Sequence, residues 1–342
     1  MIPDTVVPRC LPGPRPARCA GGGTWKGAVT PRPVVGPNGT IYAASNGGVL
    51  HAINPSTGAD RWTYDCGHTD PGSDLSVSSL VLADGTVLWP TPGHELLALS
   101  PTGTKLWSQP LPGQPTSPAS VDGHRIYVGD TSGTVTAIDL TYRNLPSPAW
   151  TLKVGGISYG SVVVGASGRL YTTADSALIA IDDVGAQGHL SWRVDPGDGI
   201  TEVSAGLAPD GTALLGLNGS QEWAYRPDGT LLWHSPRVIT YSSPSVTATG
   251  LAYVGDHSGT MHVFRVRDGT QAAAYRVWTA PVVDSSYRLY YGTQDGHVVG
   301  LNAGGAKLFD IDLGAPVDSY PALTADANLI IGARNGTLSA IS

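Results

Sequence analysis

Short apolar runs alternate with polar, glycine-bearing turns along nearly the whole chain, and one phrase returns eight times. It reads as a short strand, a turn with Gly, and a second strand with an aromatic or aliphatic residue. A polar Gly turn and a third strand follow, then usually Trp. Pro33-Val34-Val35-Gly36-Pro37-Asn38-Gly39-Thr40-Ile41-Tyr42 and Pro244-Ser245-Val246-Thr247-Ala248-Thr249-Gly250-Leu251-Ala252-Tyr253 are clear copies. A self-similar period of about 40 residues built from short strands predicts a β-propeller.

The register is tight. The second-strand slot holds Tyr42, Leu88, Tyr127, Tyr171, Leu214, Tyr253, Tyr290 and Ile330. An apolar residue near the end of the third strand follows each: Ile53, Leu99, Ile138, Ile181, Tyr225, Phe264, Leu301 and Ile341. The offset is 11 residues in every unit but the fourth, where it is 10. Paired strands hold such spacing because a one-residue slip turns every side chain to the wrong face. The length variation falls in loops, which absorb insertions more readily.

Trp62, Trp107, Trp150, Trp192 and Trp233 mark the fourth strands, Phe309 takes that slot in the seventh unit, and either Tyr275 or Trp278 fits the sixth. The eighth unit ends at Ser342 without a fourth strand, while Gly23-Thr24-Trp25-Lys26-Gly27 is a Trp-bearing strand with no unit before it. The expected fold is therefore all-β: a single eight-bladed propeller of four-stranded antiparallel blades over residues 24–342, its last blade closed by the N-terminal strand around Trp25. Closure removes exposed sheet edges. Residues 1–23, rich in Pro, Gly and Arg, read as disordered or loosely attached.

Composition narrows the function. The turns Pro37-Asn38-Gly39-Thr40, Ala83-Asp84-Gly85-Thr86 and Pro209-Asp210-Gly211-Thr212 are hairpin signals. Charged residues are 14% and the net charge is −7, which argues against a nucleic-acid partner. No apolar run reaches the roughly 18 residues of a membrane span. Cys10 and Cys19 fit a local disulfide that leaves Cys66 alone, and three free thiols fit as well.

The units Ser243-Pro244-Ser245-Val246, Tyr127-Val128-Gly129-Asp130-Thr131-Ser132-Gly133, Tyr290-Tyr291-Gly292-Thr293-Gln294-Asp295-Gly296 and Asn54-Pro55-Ser56-Thr57-Gly58-Ala59-Asp60-Arg61-Trp62 resemble the PQQ-like propeller repeat. The resemblance covers about residues 24–342. It implies that each indole packs on the neighbouring blade near the turn glycines. Its superfamily includes quinoprotein dehydrogenases and outer-membrane assembly scaffolds resembling BamB. The expectation is a non-catalytic binding or scaffold propeller, monomeric, in a periplasmic, envelope or secreted setting. Met1–Gly23 lacks the apolar stretch of a signal peptide, so that setting rests on the resemblance. A quinoprotein-like redox protein using PQQ and Ca²⁺ is the first alternative, and an accessory domain of a larger secreted protein is the second.

Catalytic signatures are missing: there is no His-Glu-x-x-His, no Walker loop and no nucleophile elbow, and no residue is assigned to catalysis, a cofactor or a metal. His51 and His262 share one third-strand slot, as a repeat produces by itself. Trp89 and Trp223 lie off the Trp slot and read as packing or as exposed contacts. The candidate binding surface is a loop face carrying Asp70, Asp74, Asp198, Glu202, Tyr241, Asp318 and Tyr320, with Tyr159 beside them. The second-to-third-strand turns add His94, Asp130, Asp175, Asp256, His257 and Asp295. Such a face would take a protein, a peptide or a small polar ligand. The plainer reading is that these residues serve turns and loop packing.

Overall fold

A computed structural model gives the fold. It describes residues 19–20, 33–45, 47–68, 78–116, 124–141, 147–156, 160–197, 203–216, 221–236, 243–256, 258–276, 281–284, 286, 288–302, 306–317, 319, 321–323, 328–335 and 337–341. Among them there is no helix, and the strands form eight antiparallel sheets. Seven sheets have four strands, and the third shows three among the described residues. The chain is an eight-bladed β-propeller.

The expected register holds. Tyr42 pairs Ala52, Tyr127 pairs Ala137, Tyr171 pairs Ala180 and Tyr290 pairs Gly300. The fourth blade has the shorter hairpin, with Ala174 paired to Ala177 across a turn in which Asp175 adopts φ 55°. In six blades a β-bulge interrupts the third strand, after a small residue in five of them, such as Ala52 in the first, and after Val263 in the sixth. The bulge sets the Trp slot opposite that small residue, where a large ring fits: Trp62 opposite Ala52, Trp150 opposite Ala137, Phe309 opposite Gly300.

Two expectations change. In the sixth blade the slot opposite Val263 holds Ala273, so neither Tyr275 nor Trp278 fills it. Tyr275 pairs Met261 two residues further on, and Trp278 lies outside the described residues. In the eighth blade an N-terminal strand does complete the sheet, but it is Cys19–Ala20, with Cys19 opposite Ala340 and Ala20 opposite Ser339. The paired strand thus lies inside the segment expected to be loosely attached. A ladder needs only backbone donors and acceptors in register, and Trp is not required for it. Trp25 lies outside the described residues.

The chain divides into two compact units, Met1–Ser108 with Pro281–Ser342, and Gln109–Ala280. In the first, apolar clusters join blades seven and eight, eight and one, and one and two. In the second, they join three and four, four and five, and five and six. The core lies in these seams. Within a third strand, alternate residues face the next blade and the preceding one. Leu50 and Ala52 of blade one meet Leu97 and Leu99 of blade two, and Val135 and Ala137 of blade three meet Ile179 and Ile181 of blade four.

Candidate functional site

Blades three and four carry an Arg-to-Asp pairing where blades one and two carry Thr opposite Asn or Ser. The residue two before the second-strand slot is Thr40, Thr86, Arg125 and Arg169 in the first four blades. The residue one step beyond the third-strand apolar slot is Asn54, Ser100, Asp139 and Asp182. Two consecutive blades thus place guanidinium and carboxylate groups at neighbouring strand ends. Between them opens a cavity of about 630 Å³ lined by Arg125, Tyr127, Asp139, Arg169, Asp182 and Asp183, among others.

Asp183 is the hub. Arg125 Nη1 donates to its two carboxylate oxygens at 2.9 and 2.8 Å. The Tyr127 hydroxyl donates at 2.6 Å, the Trp150 indole N–H at 3.1 Å and the Gly185 N–H at 2.8 Å. The Asp183 side chain is 9% exposed. Burial works to raise its carboxyl, but the donors from Arg125, Tyr127, Gly185 and Trp150 outweigh it and hold the group below the usual carboxylate range. Charge-assisted donors of this kind are the strong class of hydrogen bond.

The other two carboxylates are more open. Asp182 takes Arg169 Nε at 2.7 Å and Nη2 at 3.1 Å, while Arg169 Nη1 donates to the Pro227 carbonyl of blade five at 2.6 Å. Asp139 accepts the Thr141 hydroxyl and N–H, which hold it low, and lies 3.5 Å from Arg125 Nη2. Their side chains are 38% and 37% exposed for Asp139 and Asp182, so acceptor positions face water. Two guanidinium groups fixed by three carboxylates form a rigid, polar pocket suited to hydrogen-bonded recognition of a polar group. A second cavity, of about 360 Å³, has the same place between blades five and six and is lined by Asp210, Arg265 and Arg267, among others.

The sequence did not single out this pocket. Its signal is the recurrence of Arg two residues before the second-strand slot in two successive units, legible only once the ladder register is known. The seven loop-face candidates, Asp70, Asp74, Asp198, Glu202, Tyr241, Asp318 and Tyr320, lie outside the described residues, as do Tyr159 and His257. Asp130 and Asp256 serve their own turns. Asp130 Oδ1 accepts the Ser132 and Thr134 N–H groups at 2.8 and 3.4 Å. Asp256 Oδ1 accepts the Ser258 and Thr260 N–H groups, each at 2.8 Å. Asp175 Oδ2 accepts the Gly156 N–H at 3.1 Å, tying the turn to the preceding blade's loop. Trp89 is buried in the seam of blades one and two. Trp223 is half-buried beside Tyr225 and His234. Among the described residues no three His, Cys, Asp or Glu side chains gather to hold a metal ion.

The repeats are similar to PQQ-like β-propeller repeats. The profile of the family described as outer membrane protein assembly factor BamB matches residues 17–145. The chain is 27% identical over 177 residues to outer membrane protein assembly factor BamB of Nitrosomonas eutropha, a match covering 48% of this chain and 40% of that protein's length. It is 24% identical over 336 residues to outer membrane protein assembly factor BamB of Salmonella typhimurium, covering 88% of this chain and 82% of that one. Among solved structures, BamB from Moraxella catarrhalis superposes with a TM-score of 0.70 at 15% identity, over 89% of this chain and 93% of that chain. Sqt1 of Saccharomyces cerevisiae gives 0.77 at 13%, over 92% and 95%. Quinohemoprotein alcohol dehydrogenase from Comamonas testosteroni gives 0.73 at 14%, over 92% and 74%. At such identities the structural likeness speaks for the fold alone.

Proposed function

We propose that this chain is a non-catalytic binding or scaffold propeller of the bacterial cell envelope that takes part in assembling outer-membrane proteins. The observation that carries the reading is the sequence match to the Salmonella assembly factor, which runs through 88% of this chain and 82% of that protein. A match over nearly the whole of both chains pairs blade with blade, which a shared repeat alone does not require. The polar pocket of blades three and four supports a binding role, because its charged groups are fixed by one another before any partner arrives. The partner is a protein or peptide, and the propeller acts as a monomer in the periplasm or at the envelope.

The test is genetic and biochemical together. Deleting the gene in its native host should lower the level of folded outer-membrane β-barrel proteins, and a tagged chain crosslinked in living cells should recover envelope proteins. Normal barrel levels together with no envelope partner would sink the reading. The loop residues Asp70, Asp74, Asp198, Glu202, Tyr241, Asp318 and Tyr320 are substituted one at a time by Ala in the same crosslinking assay. The quinoprotein alternative has its own readout: incubation with PQQ and Ca²⁺ should then give a quinone absorption band and dye-linked activity.

A further inference from the structure

In three of the seams described within a unit, two third-strand positions come together in one apolar cluster. One lies two residues before the small residue of its own blade, and the other lies one residue before the small residue of the next. These are Leu50 and Leu97 between blades one and two, Val135 and Ile179 between three and four, and Leu178 and Trp223 between four and five. Between blades five and six, where Val263 takes the place of the small residue, the same two positions hold Glu222 and His262. Glu222 lies two residues before Ala224 and so on the same face of its strand. His262 is the ladder partner of Val254. Ala224 and Val254 belong to one cluster, the seam of these two blades.

Both side chains are short of partners. Glu222 is wholly buried, and neither carboxyl oxygen has a hydrogen-bond partner. In the other seven blades its position holds Leu50, Leu96, Val135, Leu178, Met261, Val298 and Leu338, all buried and apolar. His262 Nδ1 is likewise buried without a partner, while Nε2 shares a 2.9 Å hydrogen bond with Asp256 Oδ2. Buried polar groups left unpaired are costly and call for a reason.

The seam offers Glu222 little else. Leu214 and Trp233 of its own blade and Ala252 and Phe264 of blade six are apolar. Trp223, Tyr225 and His234 lie on the opposite face of blade five. The titratable groups facing it from blade six are His262 and, behind it, Asp256. Burial alone pushes the Glu222 carboxyl well above the usual carboxylate range.

We infer that Glu222 and His262 form a proton-dependent latch across the seam of blades five and six. With its proton in place, Glu222 packs in the slot that apolar residues fill elsewhere. When that proton leaves to solvent, the carboxylate must reach water or the unpartnered Nδ1 of His262, and the strands of the seam separate to allow it. The inference does not depend on the proposed function.

Hydrogen exchange of the full chain, followed by mass spectrometry across pH, tests it. The folded-state pKa of Glu222 is raised, so seam stability is complete below the ordinary carboxylate range and falls as pH rises toward the folded value. In that window the opening constant for Glu222–Tyr225 and Thr260–Arg265 should rise about tenfold per pH unit. Thr134–Asp139 and Leu170–Ala174, in the seam of blades three and four, should stay flat. E222Q and E222L should both flatten the first seam, E222L because Leu occupies this position in four other blades. H262L should move the transition to higher pH by removing the polar group that faces the carboxylate. A flat wild-type seam, or an unchanged slope in E222Q, overturns the latch. An unmoved transition in H262L overturns the part assigned to His262.

Discussion

The Trp62 indole lies over Gly103, the turn glycine of the next blade, so closely that a Cβ built on Gly103 would come within 2.7 Å of the ring. Its Nε1 donates to the Pro101 carbonyl of that turn at 2.9 Å. Trp192 does the same with Gly229 and the Pro227 carbonyl, and Trp233 with Gly269 and the Val266 carbonyl. Blades one, four and five are thus each pinned to the next by an indole, a bare backbone and one hydrogen bond.

Gly103→Ala should therefore destabilise the protein by about 1–3 kcal/mol, because it adds a clash with the indole to a backbone at φ 83°. Trp62→Phe keeps most of the ring contact and loses the N–H bond, for about 1 kcal/mol. Chemical denaturation of the two variants beside the wild type checks both. Equal losses would mean that the hydrogen bond, not the close approach, sets the turn.

Trp150 departs from that pattern in a way that bears on the polar pocket. Its N–H donates to the Asp183 carboxylate instead of a backbone carbonyl. Asp183→Ala would take a shared acceptor from the Arg125 guanidinium, the Tyr127 hydroxyl and this N–H together, leaving Arg125 the Gly185 carbonyl and Asp139, at a cost of about 3 kcal/mol. The pH dependence has a definite sign. The folded-state carboxyl is held below its unfolded value of about 3.9, so its contribution is complete above that pH and is lost as pH falls through the folded value. The stability difference between wild type and Asp183→Asn should shrink on acidification below about pH 4. A difference that stays constant across that range would show that the carboxylate charge plays no part.

How far the fold could be read in advance depends on which residues carry period-2 information. Tyr42, Tyr127 and Tyr171 recur at a spacing that only a paired ladder maintains, so their partners were legible. Phe309 was legible as the stand-in for Trp because it follows its third strand at the same distance. Ala273 was not, since a small residue in the Trp slot leaves no mark, and the nearby Tyr275 and Trp278 drew the assignment instead. Cys19 was hidden for the same reason: the closing strand is two residues long and apolar alternation cannot show in it. Asp183 is a different case. Its role depends on Tyr127 and Trp150, more than 30 residues away in sequence, converging on it from the preceding blade. The loop-face residues, from Asp70 to Tyr320, were singled out by departing from the repeat, and departure from a repeat carries no geometry.

Trp89 lies off the repeat slot, yet it is 2% exposed and packs on Tyr42, Leu50 and Ala52 of blade one. Trp89→Ala should cost about 3–5 kcal/mol through the cavity it leaves. Trp89→Leu, which is the residue type of its ladder partner Leu97, should recover part of the loss. Thermal melts of the two variants decide it. A wild-type melting temperature in Trp89→Ala would mean that the ring is not a core group.

Cys66 lies at the end of blade one's outer strand, and its Sγ donates to the His68 carbonyl at 3.5 Å. Burial pushes the thiol up, and the negative charge of Asp65 adds to the rise, while the hydrogen bond to His68 opposes it. Since the thiolate is the nucleophile, Cys66 should alkylate more slowly at pH 8 in the folded chain than in the denatured one. Gly48 controls this. Its φ is 77°, and a Cβ there would run into the His68 carbonyl and come within 3.2 Å of the Cys66 sulfur. Gly48→Ala should push the His68 segment outward, remove the cover over the thiol and speed its alkylation toward the denatured rate. Peptide-resolved mass spectrometry after timed iodoacetamide treatment separates Cys66 from Cys10 and Cys19. Identical Cys66 rates in the wild type and Gly48→Ala would show that the sulfur is shielded by something other than this contact.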